Sequence, residues 1–113
     1  MLKKSQRLTK KDIERFFSGK FKSCKLGDIL LRVGKNENSA PRFAFIVSSS
    51  VKRNAVARNL TRRRMSEISK ELSPKINNGL DLVFSFKLLS KKAPSFGVLK
   101  EDMEKLLELS NIK

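Results

Sequence analysis

Positions 53 to 67 read RNAVARNLTRRRMSE, with Arg53, Arg58, Arg62, Arg63 and Arg64 set against a single carboxylate, Glu67. A guanidinium stays charged and does no acid–base work near neutral pH, so its chemistry is recognition. Its planar fork makes paired hydrogen bonds to phosphate, and its flat face stacks on bases. Asn59 adds an amide that both donates and accepts. Helical spacing gathers Arg58, Asn59, Arg62, Arg63, Ser66 and Lys70 on one polar face. Ala57, Leu60, Thr61, Met65, Ile68 and Leu72 fall on the opposite, core-facing side. Arg64 sits badly on that apolar side, from which its methylene stem can carry the charge to an edge. A basic face that is merely solvated carries acids one turn away. Within this stretch Glu67 has only Arg63 as such a partner, and Arg58 and Arg62 form a repulsive i,i+4 pair. The face is suited to an external polyanion.

The whole chain agrees. Its 113 residues carry a net charge of +15, and self-repulsion at that level points to a polyanionic partner. There is no His and only one Cys, Cys24. That removes the commonest general base, the Ser-His and Cys-His nucleophile pairs and a Cys-rich zinc site. Asp12 and Glu14 fall on different sides of a helix, and capping accounts for Asp12 better than metal binding does. No metal site is expected in the protein. No apolar run reaches the roughly 20 residues of a membrane span, and MLKKSQRLTK lacks the apolar middle of a signal peptide. A reducing, cytoplasmic location is the default expectation, with no membrane partner.

The elements that must position the arginines follow from pattern. Residues 1–8 read as a flexible basic start. Thr9 and Asp12 have capping-box spacing, and Ile13, Phe16 and Phe17 follow at helical intervals to Gly19, so a helix is expected over 10–18. DILLRV (28–33) and RFAFIVS (42–48) read as antiparallel neighbours joined by the polar turn GKNENSAP. The arginine-rich helix runs from about 52 to 72, a third strand lies within 77–87, and VLKEDMEKLLELS (98–110) is a final, acidic helix. Phe43 and Phe45, and Phe84 and Phe86, sit at period two and belong to a core face. The order α-β-β-α-β-α gives one small α+β domain over 1–113, a two-layer sandwich with one mainly antiparallel sheet and about three helices.

AVARNLTRRRMSE (55–67) resembles the arginine-asparagine-rich helix of the protein subunit of bacterial ribonuclease P. Ala55, Val56, Arg58, Asn59, Arg62, Arg63 and Glu67 carry the likeness, with FAFIVSSSVKRNAV resembling the strand that leads into that helix. RLTKKDIERFF and GLDLVFSFK are similar to the family's Phe-bearing first helix and its third core strand. The sequence departs at Leu60 and Ser66, where arginines are usual. It departs also at Ser49 and Ser50, in place of lysines, and in a turn at Val51-Lys52-Arg53 that lacks the usual Gly. The resemblance implies a ribosomal-protein-S5-domain-2-like fold with a left-handed βαβ crossover. It also implies a ribonucleoprotein endonuclease that removes the 5′ leader of precursor tRNA, with the active site and its Mg²⁺ in a catalytic RNA and substrate and no protein partner required.

Carried onto this chain, the resemblance assigns Arg58, Asn59, Arg62, Arg63, Arg53, Lys52 and Ser48 to RNA binding. It assigns Phe17, Ile13, Arg7 and Lys10 to a cleft for the single-stranded leader. Phe17 is the expected stacking side chain, and such stacking is worth about 1–3 kcal/mol per base. The alternatives are a ribosomal or other structured-RNA-binding protein without a catalytic partner, a DNA-binding domain and a membrane-surface protein. The last two lack their own signatures here: there is no helix-turn-helix or zinc spacing, and no aromatic-rich apolar face on the basic helix.

Overall fold

Thr9 opens the first helix, α1 (Lys10–Ser18), as its spacing predicts. Its hydroxyl accepts from the Asp12 N–H at 3.2 Å, and its own N–H donates to the Asp12 carboxylate at 2.9 Å. The computed structural model describes residues 2–36 and 40–110. After α1 come a hairpin of β1 (Lys22–Leu26) and β2 (Ile29–Lys35), then β3 (Arg42–Ser49), the long helix α2 (Ala55–Leu72), β4 (Leu80–Leu88) and α3 (Phe96–Leu109). The α+β class, the three helices and the single sheet agree with the sequence reading. Among the described residues no helix is long and apolar enough to cross a membrane.

Three expectations change. Strand β1 is additional. It lies at a sheet edge, so Lys22 and Lys25 stay exposed and only Cys24 and Leu26 are half-buried, which hides it from a hydrophobicity reading. Gly27 at φ 59 opens a two-residue loop, Gly27-Asp28, that pairs Leu26 with Ile29, so Asp28 belongs to the turn and not to the strand. Second, the strands over 28–33 and 42–48 are not neighbours. The sheet order is β1-β2-β4-β3, with β4 antiparallel to β2 and parallel to β3, so the sheet is mixed. Leu82, Val83 and Phe84 are successive buried residues, as a central strand covered on both faces requires. α2 carries the chain back so that β4 can enter parallel to β3. The expected turn over 34–41 therefore passes the end of β4, and its residues 37–39 lie outside the described residues.

Third, residues 2–8 are docked rather than loose. Leu2 is buried in the core, Gln6 Nε2 donates to Ser73 Oγ at 3.0 Å, and Arg7 forms a parallel bridge with Phe43. Met1 lies outside the described residues.

The sheet has two unlike faces. On the inner face Leu31, Phe43, Leu82 and Phe84 meet Met65 and Ile68 of α2 and Leu99, Met103 and Leu106 of α3, all essentially buried. Each such side chain contributes roughly 1.5–3 kcal/mol of hydrophobic stabilisation. Phe45 and Phe86 pack against this core, as period two predicts. On the outer face α1 rests through Phe16, which meets Ala44 and Val83 with Leu8 and Ile13 beside them. A Cβ at Gly34 would lie 2.8 Å from Phe16 Cε2, so the absence of a side chain there lets the ring down onto β2. Arg42 fastens α1 to the sheet: it forks onto Asp81 at 2.9 and 3.0 Å and reaches Asp12 at 3.5 Å.

Candidate nucleic-acid interface

The packing of α2 decides which of its side chains are available. Ala57, Thr61, Met65, Ile68 and Leu72 are buried, as the helical spacing predicts, so the opposite face is turned to solvent. Asn59, Arg62 and Arg63 are exposed, and Arg58 is half-buried at the edge. Arg62 Nη1 donates to Asn59 Oδ1 at 3.0 Å, one turn away, which preorganises the pair. The ion pairs among the described residues involve Arg42, Lys100 and Lys105 and none of these three arginines. Arg64, awkward in the sequence, reaches the Pro94 carbonyl at 2.6 Å and ties α2 to the segment before α3.

The approach to α2 is held by a small polar network. Ser49 Oγ accepts from Asn54 Nδ2 at 2.8 Å and from the Val51 N–H at 3.1 Å, and Asn54 Nδ2 also donates to the Ser90 carbonyl at 2.9 Å. Asn54 is buried and its side chain makes no cap for α2. The positive end of the helix dipole thus adds to the exposed Lys52 and Arg53 beside it. Arg53 has φ 54, a left-handed conformation that costs a residue with a Cβ about 1–2 kcal/mol. Ser48 lies exposed near the end of β3.

The outer face of the sheet provides a second surface. Strand alternation places Leu30 and Arg32 of β2, Ser85 and Lys87 of β4, and Ile46 and Ser48 of β3 on the side that carries α1. α1 covers only the end of this face near Gly34 and Ala44, leaving the rest open. At the margin Phe17 is 40% exposed, edge-on to Phe16 at 5.4 Å and to Phe21 at 5.8 Å. The Arg32 guanidinium lies 5.2 Å from the centre of the Phe17 ring and donates to Ser85 Oγ at 3.1 Å. An aromatic edge, a fixed guanidinium and a shallow floor suit a single strand, whose bases stack while its phosphates meet cations. Arg32, Phe21, Ser85 and Lys87 were missed at the sequence level. The alternation of DILLRV held the signal, since it puts Arg32 on the face opposite Leu31 and Val33.

Arg7 and Ile13, expected in one cleft with Phe17, do not share a cleft with it, although Ile13 lies one turn before it on α1. They line a cleft of about 480 Å³ at the free edge of β3, together with Asn59, Arg62 and Arg63 of α2. The structure therefore joins members of the two expected sets in one place. Lys10 is exposed on the first turn of α1 and does not line this cleft.

The carboxylates on this side of the molecule are engaged. The backbone N–H of Thr9 and then its hydroxyl donate to Asp12, with Arg42 and Arg15 adding positive charge, and together they hold that carboxyl below its ordinary range. Hydrogen bonding to Asp81 raises the pKa of Arg42 further. Among the described residues no three His, Cys, Asp or Glu side chains are placed to share a metal ion.

Comparison with known proteins agrees with this geometry. A sequence model of the Ribonuclease P family matches residues 2–110. The RNase P protein of Staphylococcus aureus superposes with a TM-score of 0.78 at 21% identity, covering 96% of this chain and 98% of that one. The RNase P protein of Thermotoga maritima gives 0.72 at 23% identity, covering 91% and 96%. No curated protein sequence matches significantly. Identities this low speak for the fold, whereas the family match spans nearly the whole chain. The chain belongs to the ribonuclease P protein family and is the protein subunit of that ribonucleoprotein, which associates with the ribonuclease P RNA and takes part in 5′ processing of tRNA.

Proposed function

We propose that the two surfaces divide the work of the subunit. The arginine face of α2, with Ser48, Lys52 and Arg53 at its start, binds the catalytic RNA. The open outer face of the sheet, edged by Phe17 and Arg32, holds the single-stranded leader of precursor tRNA. The observation that carries this reading is the set of exposed arginines on α2 outside the ion-pair network of the fold. Cations outside the ion pairs of the fold are available to neutralise phosphate, and each neutralised phosphate contributes about −0.7 to the salt slope for a single strand.

The protein's part in cleavage is then positional and electrostatic. Arg32 and Phe17 fix the leader, and the α2 arginines hold it against the RNA, lowering the repulsion between two polyanions. The hydrolytic centre lies in the RNA. The chain has no His, and Asp12 and Asp81 are taken up by Arg42. Mg²⁺ polarises a phosphodiester and lowers the pKa of bound water. Its ligands would be phosphates of RNA and substrate, since among the described residues no three His, Cys, Asp or Glu side chains are placed to share a metal ion. The subunit works in the cytoplasm and needs no second protein.

The test is cleavage of precursor tRNA by a bacterial ribonuclease P RNA at low Mg²⁺, with and without the protein. Accurate 5′ processing restored by the protein, and not by a variant in which Arg58→Glu reverses the charge, is the expected result. Tight RNA binding with no gain in cleavage would instead make the chain a general structured-RNA binder.

A further inference from the structure

The cleft at the β3 edge has a composition that phosphate contacts alone do not explain. Leu8, Ile13, Ala44 and Phe45 give it an apolar floor, and Arg7, Arg62 and Arg63 outnumber the carboxylate of Glu67 on its rim. Its volume of about 480 Å³ lies in the range of about 300–1,000 Å³ that small organic ligands occupy. Ser66 forms part of the α2 wall, and its small side chain keeps the space open.

The edge of β3 adds directional groups. Its side away from β4 is bridged by Arg7 to Phe43, with the Leu8 N–H donating to the Phe43 carbonyl at 2.9 Å. In a strand paired in parallel, alternate residues turn both backbone groups to the same side, so the Phe45 N–H and C=O face the cleft as well. A nucleobase offers an acceptor beside a donor along one edge, as adenine does with N7 and its amino group. An N–H and a C=O on one strand edge match that pattern. The apolar floor accepts the flat ring, and a guanidinium can cover its other face.

We propose that this cleft receives one unstacked nucleobase of the RNA partner. The base edge pairs with the Phe45 backbone, and Arg62 and Arg63 take the attached phosphate. The inference rests on the RNA-binding reading, and goes beyond it in naming a base-sized pocket separate from the leader surface. An extended peptide adding to the β3 edge would use the same backbone groups. The excess of arginines on its rim favours the nucleotide.

The experiment is an NMR titration of the isotope-labelled full chain with AMP, and in parallel with ribose 5-phosphate. AMP is expected to shift the Phe45 amide and to give contacts from adenine protons to Leu8 and Ile13 methyls, neither of which ribose 5-phosphate reproduces. Ser66→Trp, which fills the cleft from the helix side, should weaken AMP binding at least about tenfold, a loss of about 1.4 kcal/mol, while an unchanged fold is checked by its amide spectrum. It should lower affinity for ribonuclease P RNA severalfold. Identical shifts from the two ligands, or AMP shifts that survive Ser66→Trp, would overturn the proposal. So would an acidic extended peptide that moves the Phe45 amide where AMP does not. If Ser66→Trp binds the RNA like the parent chain while Arg58→Glu does not, the pocket is lost and the RNA-binding reading stands. If neither substitution matters, that reading fails too.

Discussion

Helices α2 and α3 lie on the same face of the same sheet, yet their outer surfaces are arranged by opposite rules. α3 buries Leu99, Met103, Leu106 and Leu107, and α2 buries Ala57, Met65, Ile68 and Leu72 together with two hydroxyl side chains, Thr61 and Ser69. Outside, α3 carries Glu101, Asp102, Glu104 and Glu108, with Lys105 paired to Glu101 at 3.3 Å and Lys100 to Glu71 of α2 at 3.1 Å. On α2 Arg62 and Arg63 are exposed and Arg58 is half-buried at the edge, and none of the three enters the ion pairs formed by Arg42, Lys100 and Lys105. Isolated helices lose a few tenths of a kcal/mol for each like-charge pair. Burial of the inner stripe outweighs that loss several times over. Packing therefore holds both helices, and the charge on α2 is free to serve recognition.

The strongest way to break this comparison is to reverse charge on each helix in turn. On the proposed reading, the double variant of Arg58→Glu and Arg62→Glu would remove two charge-assisted contacts, each worth about 1.5–3 kcal/mol. RNA affinity should fall by about a hundredfold or more, with a shallower salt dependence. The double variant of Lys100→Glu and Lys105→Glu on α3 changes the formal charge by the same amount at ion-paired surface sites and should cost less than about twofold. Filter binding across a salt series reads both. Equal losses would mean that net charge alone, and not the α2 face, governs binding.

The outer face of the sheet gives the next test, because its packing depends on a single missing side chain. Gly34→Val puts a branched side chain where even a Cβ approaches Phe16 to 2.8 Å. Overpacking of this kind costs about 1–3 kcal/mol. The ring of Phe16 should lift, carrying Phe17 away from Arg32. Thermal melting should show the lost stability, and leader affinity should fall more than affinity for the catalytic RNA. A variant that melts lower but binds the leader normally would uncouple α1 from the leader surface.

A smaller effect is expected from pH. The Asp12 carboxyl lies below its usual value of 3.8 in the folded chain, chiefly through the hydrogen bonds from Thr9. A depressed folded pKa means that its contribution is complete above the unfolded value and is lost as pH falls through the folded one. Melting temperatures followed from about pH 6 down to about pH 2 should therefore drop less steeply for Asp12→Asn than for the parent chain. Parallel curves would show that the capping box does not contribute to acid sensitivity.

The sequence carried the parts of this arrangement that depend on local pattern. The Thr9–Asp12 box, the inner stripe of α2 and the paired phenylalanines are local signals, and they agree with the structure. What remained hidden depends on which segments meet. Nothing in DILLRV or RFAFIVS tells that β4 enters between them, since each is apolar enough to pair with either neighbour. Arg32 reads as an ordinary exposed residue of a half-buried strand until Phe17 is brought over it. The cleft beside β3 needs the N-terminal segment, α1 and α2 together, and Leu2 anchors that segment through burial rather than through any motif.

The mildest test returns to the inner faces of the two helices. α2 buries two hydroxyls in its core stripe, whereas the buried set of α3 is entirely apolar. Thr61 Oγ1 donates to the Ala57 carbonyl at 2.8 Å, but Ser69 Oγ is buried with no hydrogen-bond partner among the described residues. An unmet buried hydroxyl costs about 1–3 kcal/mol, and alanine is also the better helix former. Ser69→Ala should therefore raise stability by about 1 kcal/mol in urea unfolding, without changing RNA affinity, because the Ser69 side chain is buried and out of reach of a ligand. A loss of stability would mean that the hydroxyl has a partner in solution, such as an internal water, and that the core stripe of α2 is polar by design. A gain would place α2 with α3: an apolar inner face sets the stability of each helix, and only the outer faces differ in purpose.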